Sequence, residues 1–331
     1  QQLPKLAFVA LETLQEVLGM NARRVRNREK RRFDNFPGRV NAMVFHARDP
    51  ANSSGSQLRS LLGRGVTLDD LGLTLRELPK RKYVALESNR MVLDEEFLVG
   101  ENDANHASSS VLVHLANRLS NADDDTKYAM YSIIAGLDPN SASAPPFGPF
   151  NNADGLDVIA RLPDREIVIN RWLADDLGLD VGGTLRMTYH LVGSDGELPE
   201  EIRTFRVHGI VELTGAADDR GLTPHVPGIT DVRSFRDWRQ PFKMDLDSLT
   251  TRDEEYWERY RATPKGFVTL QTAQDLWESR YGPVTSQRFA VDPSNENAVA
   301  ALSGTIRSGI ELESLGLSVQ AVKAHGVQAA S

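Results

Sequence analysis

The sequence predicts an α+β fold, with mixed small sheets and βαβ-type elements in two subdomains after an N-terminal helix. Three observations predict this class. Short apolar runs alternate as strands do, for example at residues 73–78 and 184–191. Apolar residues recur at helical spacing in residues 295–307. Irregular stretches at 137–154 and 214–253 separate the regular segments, and strand and helix alternate in the last third, which is typical of split βαβ packing.

The composition limits the possible chemistry. The chain has 331 residues, a hydrophobic fraction of 40% and a net charge of −8, which fits about two globular domains. It contains no cysteine, so disulfides, thiolate zinc sites, iron–sulfur clusters and thiol nucleophiles are excluded. The acidic balance argues against a nucleic-acid-binding protein, which usually presents a basic face.

The two ends of the sequence predict that it is a piece of a longer protein. It begins at Gln1 without a methionine and stops abruptly after residues 326–331. No signal peptide and no run of 18 apolar residues is visible in it.

The first element is predicted to be one helix over residues 7–32, ended by Asn35, Pro37 and Gly38. Its second half is basic. A solvated helix face explains this best, and contact with anionic lipid headgroups or a partner protein is the alternative. The basic residues are Arg23, Arg24, Arg26, Arg28, Lys30, Arg31, Arg32 and Arg39.

The next part, up to residue 154, is predicted to be built mainly of strands. A short capped helix at 67–73 precedes them. A long connection rich in Pro, Gly, Asn and Ser, 137–154, is the first candidate domain boundary. The strands are 73–78, 83–88, 111–115 and 128–135.

The most regular pattern lies between residues 166 and 213. A buried strand at 166–169 leads to Asn170, which can cap a helix over 171–177. Gly178 can close that helix in the left-handed conformation. Strands at 184–191 and 204–213 follow.

Residues 214–253 form a second irregular stretch, too long for a simple connection. It contains Trp238 and Phe242, and Trp257 lies just beyond it, so we expect a packed insertion. The remaining elements are helices at 254–260, 272–281 and 295–307 and strands at 266–270, 286–291 and 317–322.

No local motif for catalysis is present. Phosphate loops, dinucleotide fingerprints, nucleophile elbows and helical zinc spacings are absent, and no two histidines lie within four residues. Asp218, Asp219, His225 and Asp231 could assemble a divalent metal site, but turn-capping aspartates and a packed histidine explain them better. The acidic residues from Asp253 to Glu258 are best explained as a solvated helix face.

One set of residues resembles a known family, the extracytoplasmic core domain of FtsX/MacB-type ABC transporter permeases. The pattern is a strand and capped helix at 166–178, a glycine turn and strand at 182–185, and a strand at 205–211. Further similarity to a large-ectodomain branch of these permeases lies at 222–224, 227–231, 237–238, 241–242 and 256–265.

The resemblance implies a domain organisation. Residues 1–36 would be a juxtamembrane helix, 37–154 an N-terminal α+β subdomain, and 155–331 a MacB-like core with the insertion 214–253. The domain would lie on the extracytoplasmic side of the bacterial inner membrane, between the first and second membrane helices.

The resemblance also implies a non-catalytic function without a cofactor. A separate cytoplasmic subunit would hydrolyse ATP, and this domain would transmit the conformational change to a periplasmic partner or cargo, such as a lipoprotein, lipid, peptide or cell-wall factor. A second permease copy is an expected partner. The alternative is a free-standing periplasmic ligand-binding or sensor domain, which predicts a concave apolar pocket.

The long insertion is the candidate partner-contact loop. Its candidate contact residues are Asp218, Asp219, Arg220, His225, Asp231, Trp238 and Phe242.

Overall fold

The computed structural model describes most of the chain. Its contacts divide the chain into two units, Gln1–Gln57 and Leu58–Ser331. No helix among the described residues has the length and apolar character needed to cross a membrane. The described residues are 10–27, 32–36, 38, 40, 42–44, 55–100, 106–191, 197–239, 244–277, 282–311, 313, 315 and 317–320.

Helices and strands alternate irregularly along the chain. The helices are α1 (Leu11–Val17), α2 (Gly55–Gly65), α3 (Pro139–Ser143), α4 (Arg171–Leu177), α5 (Thr251–Tyr260), α6 (Leu270–Trp277) and α7 (Glu296–Gly309). The strands are β1 (Arg23–Asn27), β2 (Arg32–Phe36), β3 (Leu73–Leu78), β4 (Tyr83–Ser88), β5 (Ser108–Asn121), β6 (Tyr128–Leu137), β7 (Glu166–Asn170), β8 (Thr184–His190), β9 (Glu200–Val211), β10 (Gly266–Thr269) and β11 (Ser286–Phe289).

In the first unit, the predicted single helix over 7–32 is wrong. Helix α1 ends at Val17, and β1, which lies in the basic half of the predicted helix, is a strand that pairs antiparallel with β2. Gly19 adopts a left-handed conformation with φ 65°, and the Met20 N–H closes the helix end on the Gln15 carbonyl at 2.7 Å. Arginines four residues apart, such as Arg24 and Arg28, also disfavour a helix there.

In the second unit, nine strands form one sheet in the order β3-β4-β11-β5-β6-β10-β7-β9-β8. Strand β8 also pairs with β5, so the six strands from β5 to β8 in this order make a closed barrel. The predicted α+β class is confirmed. The predicted small sheets of βαβ type are wrong, because pairing between strands distant in sequence joins them into this barrel.

Strand β5 makes the closure possible. One edge pairs with β6, whereas the other pairs with β11 at residues 108–111 and with β8 at residues 116–121. A bulge between Ala116 and Arg118 lies within the pairing with β8, and bulges increase strand twist. The barrel takes β5 and β6 from before residue 154 and its other four strands from after it. The subdomain boundaries at residues 36 and 154 stay predictions.

The predicted capped helix after the strand at 166–169 is confirmed. The Asn170 side chain accepts a hydrogen bond from the Leu173 N–H at 2.8 Å, and Gly178 ends α4 with φ 59°. Strand β7 then lies parallel to β9.

Helices α4 and α6 cover opposite ends of the barrel. They directly follow β7 and β10, which are antiparallel neighbours, so the two helices begin at opposite ends. Leu173 and Leu177 of α4 and Ala273 and Trp277 of α6 are buried. They share one apolar core with residues from all six barrel strands, including Leu112, Ile134, Ile167, Leu185, Met187, Phe205 and Val268.

The other three strands, β3, β4 and β11, extend the sheet from the first half of β5 and have two different faces. One face is apolar and packs Leu86 and Phe289 against Leu302 and Ile306 of α7. The opposite face carries Tyr83 of β4 with charged side chains from all three strands, and residues from the 214–253 segment lie on it.

The barrel core also contains a histidine. The His114 ring stacks on Trp277 with centroids 4.9 Å apart and meets the edge of Tyr189 at 5.6 Å. Its Nε2 donates to the His190 carbonyl oxygen at 2.9 Å. Burial in these aromatic surroundings lowers the pKa of His114 to about 4, so this side chain is neutral in the folded protein at neutral pH.

We predict that His114 makes the protein less stable as the pH falls from about 6.5 to about 4. The unfolded chain binds a proton near pH 6.5, whereas the folded chain resists it, so protonation favours unfolding by up to about 1.4 kcal/mol per pH unit. Urea unfolding at several pH values measures this slope. His114→Phe keeps an aromatic stack and should flatten it, and equal slopes for the two proteins would contradict the prediction.

Candidate functional site: the 214–253 segment

The predicted packing of the insertion is confirmed for its described residues. Phe235 and Trp238 are buried against Trp257, with ring centroids 4.9 to 5.0 Å apart. Tyr131 of β6 lies 6.2 Å from the Phe235 ring, and its hydroxyl accepts a hydrogen bond from the Asp245 N–H. The segment is therefore held on the outer face of the barrel.

Trp238, a predicted partner-contact residue, is only 7% exposed and belongs to this core. It is positioned to hold the segment in place, and its assignment as a contact residue stays a prediction. Phe242, which was assigned with it, lies outside the described residues.

Asp219 is also buried, with 4% of its surface exposed. Its Oδ2 accepts a hydrogen bond from the Tyr83 hydroxyl at 2.7 Å, and its Oδ1 accepts one from the Gly221 N–H at 2.8 Å. Arg81 Nε lies 3.5 Å from the same Oδ1. Asp219 therefore fixes the segment to β4 and leaves little of its own surface exposed.

A buried arginine on β11 balances this carboxylate. The Arg288 guanidinium is 4.9 Å from the Phe147 ring centroid and donates to the Ser109 hydroxyl at 2.9 Å. Burial lowers the pKa of Arg288, and Tyr83 and Asp219 oppose that shift. Burial also raises the pKa of Tyr83, with a further increase from Asp219.

A second ion pair holds the backbone that follows. Arg76 Nη2 lies 2.6 Å from Glu87 Oε1 and donates to the Gly221 and Thr223 carbonyl oxygens at 2.7 and 3.0 Å. The His225 N–H donates to Glu87 Oε2 at 3.1 Å. Burial raises the pKa of Glu87, and Arg76 opposes that shift. Side chains of β3 and β4 thus satisfy the backbone groups of residues 221–225.

The far end of the segment is fixed by Asp253, which was predicted to lie on a solvated face. That prediction is wrong for Asp253, which is fully buried, although Glu255 and Glu258 are exposed. Asp253 Oδ1 accepts from the Met130 N–H at 3.1 Å and from Lys265 Nζ at 3.2 Å. Its Oδ2 closes a capping box at the start of α5.

The other candidate residues do not converge. Arg220 is exposed and donates to the Arg259 carbonyl oxygen at 2.6 Å. Asp231 is exposed, and its carboxylate accepts from the Gly228 N–H at 2.6 Å, as the turn-capping interpretation predicts. Asp218 is half-buried, and its carbonyl oxygen accepts from Arg81.

His225 is exposed, so the prediction of a packed histidine is wrong. Its Nδ1 lies 3.3 Å from the Thr230 hydroxyl. In the described part of the chain, no three histidine, aspartate or glutamate side chains are grouped so that they could hold a metal ion.

Among the described residues, the exposed charged side chains of the segment are four arginines and four aspartates, the latter being Asp231, Asp237, Asp245 and Asp247. Arg233, Arg236 and Arg239 are exposed, as is Arg220. Arg233, Arg236 and Arg239 were not among the predicted contact residues, although their regular three-residue spacing was a usable signal. These four exposed arginines are called the arginine surface below.

A shallow cleft lies elsewhere in the second unit, at the carboxyl ends of the parallel strands β6 and β10. Its volume is about 290 Å³, and Asp138, Leu162, Asp164, Thr269 and Gln271 contribute to its lining. The Thr269 hydroxyl donates to Asp164. This cleft is where the alternative of a ligand-binding or sensor domain is best tested.

Comparisons with models of known protein families and with curated protein sequences find no match to this chain.

We predict that the two aspartates of the segment differ sharply in their effect on stability. Both accept a short hydrogen bond from a backbone N–H, but only Asp219 is buried among charges. Asp219→Ala leaves the buried Tyr83 hydroxyl and the Gly221 N–H without their acceptor and should lower the free energy of unfolding by about 3 kcal/mol. Asp231→Ala, the matched control, should leave the urea midpoint nearly unchanged. Similar midpoints for the two variants would contradict this assignment.

Proposed function

We propose that the chain is the extracytoplasmic domain of an FtsX/MacB-like ABC transporter permease of a bacterial inner membrane. In this function it transmits an ATP-driven conformational change to a periplasmic partner or cargo and performs no chemistry itself. The observation that carries the proposal is the resemblance over residues 166–211. Its strand, capped helix, glycine turn and two strands agree in order with β7, α4, β8 and β9.

The way the insertion is attached supports a mechanical role. Buried charged side chains fix the segment near both ends, through Asp219 and Asp253, and an aromatic cluster fixes its middle. Packed interiors deform little, so the arginine surface should move together with the barrel. A shift between two arrangements of membrane helices would then reach a partner bound at this surface.

The proposed partners follow from the resemblance and from the exposed guanidinium groups of the segment. The full-length permease would pair with a second copy and with a cytoplasmic ATP-binding subunit. On the periplasmic side, the arginine surface fits a cargo or partner with an acidic contact face, since guanidinium groups bind carboxylates in a bidentate geometry.

The first test is the hydropathy of the native gene on both sides of this sequence. We expect an apolar run of about 20 residues shortly before Gln1 and another shortly after Ser331. Polar flanks on both sides would overturn the proposal. The alternative of a free-standing binding or sensor domain would then be tested by small-molecule thermal shifts, with Asp164→Asn and Gln271→Ala in the cleft as variants.

We predict that the arginine surface contacts the partner directly. Because the sequence has no cysteine, a single Arg236→Cys gives one attachment point for a photo-crosslinker within it. In cells this variant should capture a defined periplasmic product, and Val181→Cys, exposed at the α4–β8 turn, should not. Equal capture at both positions, or capture at neither, would contradict the contact.

A further inference from the structure

Helix α1 of the first unit has an exposed apolar side. No residue of α1 is buried, and Leu14 and Val17 are 46% and 78% exposed. Leu11 and Leu18 are 54% and 56% exposed, and the spacing of three and four residues places both on the side of Leu14. Met20, just after the helix, is 43% exposed. Such a stripe in water is unfavourable unless another surface covers it.

The same unit is basic, whereas the rest of the chain is acidic. Residues 1–57 contain 10 Lys and Arg against 5 Asp and Glu, a net charge of +5. Residues 58–331 contain 28 against 41, a net charge of −13. Arg23 and Arg24 of β1 are exposed only a few residues beyond the apolar helix. A charge asymmetry of this kind indicates a polyanionic partner for the first unit.

We propose that the first unit docks on the surface of an anionic lipid bilayer. The leucine and valine side chains of α1 would enter the boundary between headgroups and acyl chains. The arginines after the helix would pair with lipid phosphates, an attraction worth about fivefold in affinity for each arginine near the surface. An anionic bilayer is the occupant that uses both features, because it offers an apolar layer directly beneath a negatively charged one.

Other occupants use only one of the two features. A nucleic acid accounts for the positive charge but gains nothing from an exposed apolar helix. A second copy of the chain could cover the apolar stripe, but it would bring two basic units together. The inference deepens the proposed function and rests on it for the presence of a bilayer near this unit, but the vesicle experiment is independent of the flanking sequences.

The test is sedimentation of the 331-residue chain with vesicles of phosphatidylcholine, alone or mixed with phosphatidylglycerol. We expect binding to the mixed vesicles, at least about tenfold weaker binding to the neutral ones, and weakening by added salt. Leu14→Ser with Val17→Ser should reduce binding about tenfold. Arg23→Gln with Arg24→Gln should reduce it by a similar factor or more.

Matched controls lie in the second unit. Leu156 and Val181 are 64% and 60% exposed, and Arg161 and Arg203 are exposed arginines. Leu156→Ser with Val181→Ser and Arg161→Gln with Arg203→Gln should bind vesicles as the unsubstituted chain does. All the substituted positions are exposed, so urea midpoints should stay constant and verify that each variant is folded.

Each of four results would overturn the proposal. These are no binding to anionic vesicles at low salt, equal losses in the test and control variants, tighter binding to duplex DNA than to vesicles, and self-association that Leu14→Ser with Val17→Ser abolishes. The vesicle results do not depend on the hydropathy of the flanking sequences, which tests the proposed function. This inference and the proposed function can therefore fail separately.

Discussion

Strand β5 pairs with β6 along one edge and divides its other edge between β11 and β8. Without the β8 pairing, the sheet would end in a free edge and the barrel core around Met187 and Tyr189 would open to water. The end helices α4 and α6 and the 214–253 segment all pack on this barrel. One long, bulged strand thus determines where every other feature of the second unit lies.

Several charged side chains of the second unit form hydrogen bonds with buried backbone groups. An irregular segment that covers a sheet face brings many N–H and carbonyl groups out of water, and each needs a partner. Arg76 and Glu87 provide such partners to residues 221–225, and Asp253 provides one to Met130. Arginine, glutamate and aspartate are residue types that are also common in active sites. Here their hydrogen bonds show that they hold the segment in place.

Local structure could be predicted from the sequence, and pairing between distant residues could not. The cap at Asn170 and the helix end at Gly178 depend only on nearby residues, and both are confirmed. Barrel closure joins Leu119 to Met187, which no local pattern reveals.

The sequence also could not predict which side chains of the candidate site are buried. Asp253 is buried because Lys265 and β6 surround it, and Trp238 is buried because it packs against Trp257. The sequence could not reveal the burial of Trp238, because aromatic residues are equally typical of cores and of contact surfaces. The exposure of charged residues such as Arg220 and Asp231 was predictable, because charged side chains are rarely buried without a partner.

The position of β10 has a consequence for the order in which the chain folds. This strand lies between β6 and β7, yet it begins at Gly266, 129 residues after β6 ends at Leu137. During synthesis, the hairpin of β5 and β6 can form early from local contacts, but the barrel waits for nearly the whole chain. Non-local pairing of this kind slows folding. Nascent chains that stop before β10 would therefore expose the edges of β6 and β7 and depend on chaperones that recognise extended, apolar segments.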